Sequence, residues 1–229
     1  AEIFIQIDFM LYTLLCCWYN TSVVSTAFYM EGLGGIMKKK LKISFNSPVV
    51  LGFVAASFLA MVINYLTDGK SNQFLFMTYH SPLQSPLTYL RFFTHVLGHA
   101  GWEHFIGNMM YLLLLGPLLE EKYGSLKVLE IIAVTGLVTG IFNYIFFWKI
   151  ALCGASGVVF AFILLSSLTS FKEGEIPVTF ILVAVIFLGQ QVYEGIFVRD
   201  HVSNMAHILG GIVGAAYGFV FAKGKSDDL

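Results

Sequence analysis

The chain has 229 residues and a net charge of −1, with 57% of its residues hydrophobic and only 12% charged, against about 25% charged in a soluble domain. With a mean hydropathy of +0.78, this excludes an ordinary soluble domain and points to an all-α polytopic membrane protein whose apolar surface faces lipid as well as the interior. No basic block suggests nucleic acid, and three cysteines, two adjacent at Cys16 and Cys17, make neither a disulfide framework nor a zinc-like spacing.

The first segment, residues 1–36, is apolar but holds Asp8 and has no lysine or arginine. It lacks the positive n-region of a signal peptide. Three readings stay open: an added span, an interfacial helix, or upstream sequence translated from a misassigned start. The last has a reason, since "MKKKLKISF" from Met37 reads like a natural bacterial N-terminus. The chain therefore divides into an N-terminal extension, 1–36, and a helical region, 37–229.

A bilayer-spanning helix needs about 20 mostly apolar residues. Stretches of that kind cover residues 50–66, 102–119, 126–148, 154–170, 178–193 and 204–222. None shows the alternation of an outer-membrane strand. The third carries Lys127 and Glu130 near one end, where long side chains can snorkel. The connection 67–101 is long for a helix link, and its aromatic and histidine content predicts an ordered element at the interface. The run Glu120–Glu121–Lys122 reads as a solvated helix end.

Six spans would place Lys38, Lys39, Lys40, Lys42, Lys122, Lys127, Lys172, Lys223 and Lys225 on one side, and Lys70, Arg91, Lys149 and Arg199 on the other. The positive-inside rule then makes both ends of the helical region cytoplasmic and the 67–101 loop external. The membrane expected is a bacterial plasma (inner) membrane.

Polar side chains inside such spans are functional candidates by default. His104 and Asn108 are spaced i, i+4 and share one helix face. His207 lies about one turn inside the last span, ahead of Gly210, Gly214 and Gly218, whose spacing lets helix backbones approach closely. The fourth span opens on Gly154, Ala155, Ser156 and Gly157. A serine at a helix start is often only a cap. If the two small-residue faces meet, however, Ser156 comes within reach of the His207 imidazole. A serine hydroxyl is a weak nucleophile until a base takes its proton, and an oxyanion needs donors, which His104, Asn108 and the Ser156 N–H can supply. No carboxylate stands beside His207 in the last span, so the reading is a Ser-His dyad. His95 and His99, also i, i+4, raise a metal site, but the zincin pattern is missing, and no metal is expected.

"GASG" at 154–157, "AHILGGIVG" at 206–214, His99–His104–Asn108 spaced H-x₄-H-x₃-N, and "LLGPLLEEKYGS" at 114–125 together resemble the rhomboid intramembrane serine proteases. The resemblance implies a six-transmembrane-helix bundle with a long outer first loop, Ser156 as nucleophile, His207 as base, and His104 and Asn108 at the oxyanion. It implies substrates that are single-span membrane proteins cut near the outer end of their helix, within the lipid bilayer, and no metal or organic cofactor. Supporting positions are Gly154, Gly157, Phe160, Gly210 and Gly214. Two residues depart from the family: its Trp-Arg pair is Leu90 and Arg91 here, and the frequent Tyr after the serine is Phe160. The competing readings are a non-proteolytic member of the same fold that binds membrane helices, and a transporter, which would carry charges within several spans.

Overall fold

The computed structural model describes residues 45–169, 175–197 and 204–224. The 1–36 stretch, the boundary at 37, the lysines at 38–42, Lys172, Arg199 and Lys225 lie outside them. The described residues form seven α-helices and a π turn, without a strand. They are α1 (Pro48–Leu66), the π turn (Asn72–Phe76), α2 (Pro86–Thr94), α3 (Trp102–Tyr123), α4 (Ser125–Phe146), α5 (Ser156–Ser167), α6 (Val178–Phe197) and α7 (Asn204–Gly224). Helices Pro48–Leu66, Ser125–Phe146 and Asn204–Ala222 are long and apolar enough to cross a membrane, while Ser156–Ser167 and Val178–Tyr193 are apolar but shorter.

The short α5 corrects the expected 154–170 span. Gly154 holds φ at +130°, outside the helical region, so the helix cannot begin before it. At the other end the Ser166 and Ser167 hydroxyls donate to the carbonyls of Phe162 and Leu164 at 2.6 and 2.7 Å, and Thr169 donates to Ser166 at 2.8 Å. Such local bonds compete with continuing the helix. Every residue of α5 from Gly157 to Leu165 is buried, as expected of a helix apolar all round. It packs on α3, α4, α6 and α7, and most closely on α7.

The 67–101 connection holds two ordered elements, the π turn and α2. Arg91 is buried, donates from Nε to the Phe74 carbonyl at 2.9 Å, and lies 4.6 Å over the Tyr79 ring. It thereby ties α2 to the π turn, without the family's tryptophan beside it. Asn72 Nδ2 donates to the His99 carbonyl at 2.8 Å. Thr78 and Leu152 exchange backbone N–H···O bonds of 2.9 Å in both directions. The connection is thus fastened to the segment just before Ser156.

Glu120 does not fit the reading of a solvated end. It is buried, and its two oxygens accept from the backbone N–H groups of Val49 and Val50 at 3.0 Å each. Ser125 Oγ donates to it at 2.7 Å. The first turn of α1 has no side-chain cap of its own, and its orphan N–H groups need acceptors. A carboxylate from α3 supplies them, which a one-dimensional charge run cannot reveal. Lys127 and Glu130 pair at 2.9 Å rather than pointing separately to solvent, and Tyr217 donates to Glu130 at 2.8 Å, linking α4 to α7.

Candidate active site

Ser156 is the first residue of α5, with Ala155 as the N-cap, and no side-chain cap bond is made there. The serine thus follows the N-cap position instead of occupying it, and its hydroxyl bonds to His207 instead of capping. Leading into it, Gly154 N–H donates to the His95 carbonyl at 2.9 Å. A Cβ on Gly154 would stand 2.5 Å from His104 Cε1, so glycine is needed both for the turn and for the imidazole beside it.

His207 sits on α7, and its position follows from how closely α7 approaches α5. A Cβ on Gly210 would lie 2.0 Å from the Gly157 carbonyl oxygen, and one on Gly214 would lie 2.0 Å from the Ala161 carbonyl oxygen. Only glycine permits that contact, which slides the two backbones together. The result is a distance of 2.8 Å between His207 Nε2 and Ser156 Oγ. Phe160, one turn after the serine, stacks on the imidazole with ring centroids 4.6 Å apart and planes at 5°.

The other ring nitrogen has a partner that the sequence reading missed. His207 Nδ1 lies 2.6 Å from Gln191 Oε1 on α6. An amide oxygen only accepts, so Nδ1 carries the hydrogen and Nε2 is left as the acceptor for the serine O–H. The signal in the sequence is the pair Gln190–Gln191, polar within the mostly apolar 178–193 stretch.

Asn108 is buried on α3, and its Nδ2 has no hydrogen-bond acceptor among the described residues. The first N–H groups of α5, beginning at Ser156, likewise have no partner within their own helix. The His104 ring lies edge-on to His99, centroids 5.2 Å apart. His95 and His99 turn to backbone carbonyls: His95 Nε2 donates to Gly136 at 3.0 Å and His99 Nδ1 to Leu97 at 3.1 Å. Burial lowers both pKa values to about 4, with His104 adding to the effect at His99. Both rings therefore stay neutral. Nearby Cys153 is a second nucleophile type, but burial pushes its thiol up to about 11, so it holds its proton and stays unreactive.

A hydroxyl hydrogen-bonded to an imidazole nitrogen is the arrangement in which a base can take the proton of a serine nucleophile.

The comparisons agree with the fold. The Rhomboid domain family matches residues 86–224. Rhomboid-related protein 2 of Mus musculus is 29% identical over 194 residues, covering 75% of this chain and 63% of the relative. Rhomboid protease GlpG of Haemophilus influenzae is 27% identical over 143 residues, 61% of this chain and 73% of the relative. Rhomboid protease GlpG of Salmonella choleraesuis is 31% identical over 134 residues, 57% and 48% respectively. The chain thus spans less than two thirds of the mouse relative's length. With its helices apolar enough for lipid and more than half of its residues matched by the one family, the chain is an integral membrane protein and belongs to the rhomboid family.

Proposed function

We propose that this chain is an intramembrane serine endopeptidase, with Ser156 as nucleophile and His207 as general base. The observation that carries the reading is the 2.8 Å contact between Ser156 Oγ and His207 Nε2, with Nδ1 protonated against Gln191. As Oγ attacks a peptide carbonyl carbon, its proton passes to Nε2 and an oxyanion forms. Asn108, His104 and the Ser156 N–H are the donors proposed for it. Collapse of the intermediate expels the amine, which takes the proton from Nε2. Water, activated by the same imidazole, then hydrolyses the acyl ester.

Six of the helices would cross the bilayer, α2 lying in the external connection. The 12-residue α5 extends about 18 Å at 1.5 Å per residue, less than the roughly 30 Å of a hydrocarbon core. A helix this short leaves at least one end inside the core, and with its Ser156 end placed below the outer surface it suits cleavage of a single-span protein near the outer end of its helix. The lysine bias supports cytoplasmic ends for the helical region.

The test uses purified full chain with a fluorophosphonate probe and a model single-span substrate. Ser156 should be labelled, and Ser156→Ala and His207→Ala should each abolish cleavage. The double variant should lose no more than either one, as groups acting together do. A chain that neither labels nor cleaves but retains transmembrane peptides would support the helix-binding alternative.

A further inference from the structure

We propose that Gln191 is a positioning residue for His207, fixing the tautomer and ring orientation that a general base on Ser156 requires. This rests on the protease reading above and adds to it a third member drawn from α6. The imidazole is otherwise in contact with the Phe160 ring on its face and with the Ser156 hydroxyl, which can donate or accept, at Nε2. Neither contact distinguishes Nδ1–H from Nε2–H, since stacking is indifferent to which nitrogen bears the proton. The 2.6 Å contact to Gln191 Oε1 is the one that does. Were the ring in the other tautomer, Nε2–H would donate to the serine oxygen and no base would face the hydroxyl.

The choice of an amide fits the solvent. A carboxylate in the same place would orient the ring and stabilise the imidazolium, but a charge in a spanning helix costs about 2.5–3.5 kcal/mol on insertion scales. A neutral amide orients the ring at lower cost and leaves the imidazolium less stabilised. Gln191 is buried and lies 16 residues before His207, so the contact also ties α6 to α7. Among the described residues, His104 on α3 is the titratable side chain that bears electrostatically on His207.

Cleavage of a single-span substrate is measured across pH for the full chain in proteoliposomes, with Gln191→Met, Gln191→Glu and Ser156→Ala beside wild type. Gln191→Met keeps the length and removes the oxygen acceptor. Its kcat should fall about tenfold to hundredfold, the range for orienting partners of metal-bound histidines, with KM nearly unchanged. Gln191→Glu restores the acceptor. It should recover kcat at high pH and move the acid limb of the kcat profile to higher pH, because a carboxylate favours the imidazolium. Wild-type kcat in Gln191→Met, or a Gln191→Glu profile that superimposes on wild type, overturns the positioning role. If Gln191→Met does not accumulate in the membrane, the Gln191→Glu profile decides. Undiminished cleavage by Ser156→Ala would overturn the protease reading itself.

Discussion

Phe160 lies flat against the His207 imidazole, with centroids 4.6 Å apart and 5° between the planes, and the Phe187 ring meets the Phe160 ring edge to face with centroids 5.8 Å apart. Aromatic pairs contribute about 0.5–1.5 kcal/mol beyond area burial. Phe160→Leu should therefore lower kcat by about 2- to 12-fold, while Phe160→Tyr, which keeps the ring, should stay near wild type. Unchanged kcat in Phe160→Leu would mean that the stack has no part in holding the base.

Asn108 offers a buried donor with no acceptor of its own among the described residues. If it receives the oxyanion, Asn108→Ala should reduce kcat by up to about 10²- to 10³-fold, with KM far less affected. A change confined to KM would mark it as a substrate or packing contact.

Gly210 and Gly107 make a matched pair for testing the α5–α7 contact. A methyl on Gly210 would meet a backbone carbonyl at 2.0 Å, whereas one on Gly107 meets nothing within 4 Å. Gly210→Ala should cost about 1–3 kcal/mol as overpacking and lose cleavage, because Ser156 and His207 are pushed apart. Gly107→Ala should be neutral or stabilising by up to about 1 kcal/mol. Thermal unfolding and cleavage rates read both. Equal melting temperatures for the two variants would refute the close approach.

His95 predicts a pH dependence of stability. Burial lowers its pKa from 6.5 to about 4 in the folded chain, so between those values the unfolded state binds more protons. Stability is then full above about pH 6.5 and falls as pH drops toward 4, at up to about 1.4 kcal/mol per unit for this group. His99, lowered similarly, steepens the slope. His95→Gln should flatten it measurably in thermal melts between pH 6.5 and 4; an unaltered slope would assign the effect to other groups.

Orientation can be read by labelling. Cysteines replacing the exposed Lys70 and Lys149 should react with an impermeant thiol reagent added outside cells, and one replacing Glu121 should react only after permeabilisation. The reverse pattern would turn the bundle over and move the proposed cleavage to the cytoplasmic side.

The sequence by itself determined the solvent and the parts list. Low charge and long apolar runs require lipid, and polar residues in such runs stand out because burying them is costly. Ser156, His104, Asn108 and His207 were legible for that reason, as were the small residues around Ser156 and after His207. Only the tertiary structure decided which side chains meet. Gln191 reaches His207 across two helices and 16 residues, and Glu120 caps α1 from 70 residues away. Neither contact leaves a periodicity or a spacing in the chain. A hydrogen bond acts over about 3 Å, so the helix crossings set by Gly210 against Gly157 and Gly116 against Val50 determine which polar atoms pair. Those crossings depend on the packing of all the helices together, which no local stretch of sequence encodes.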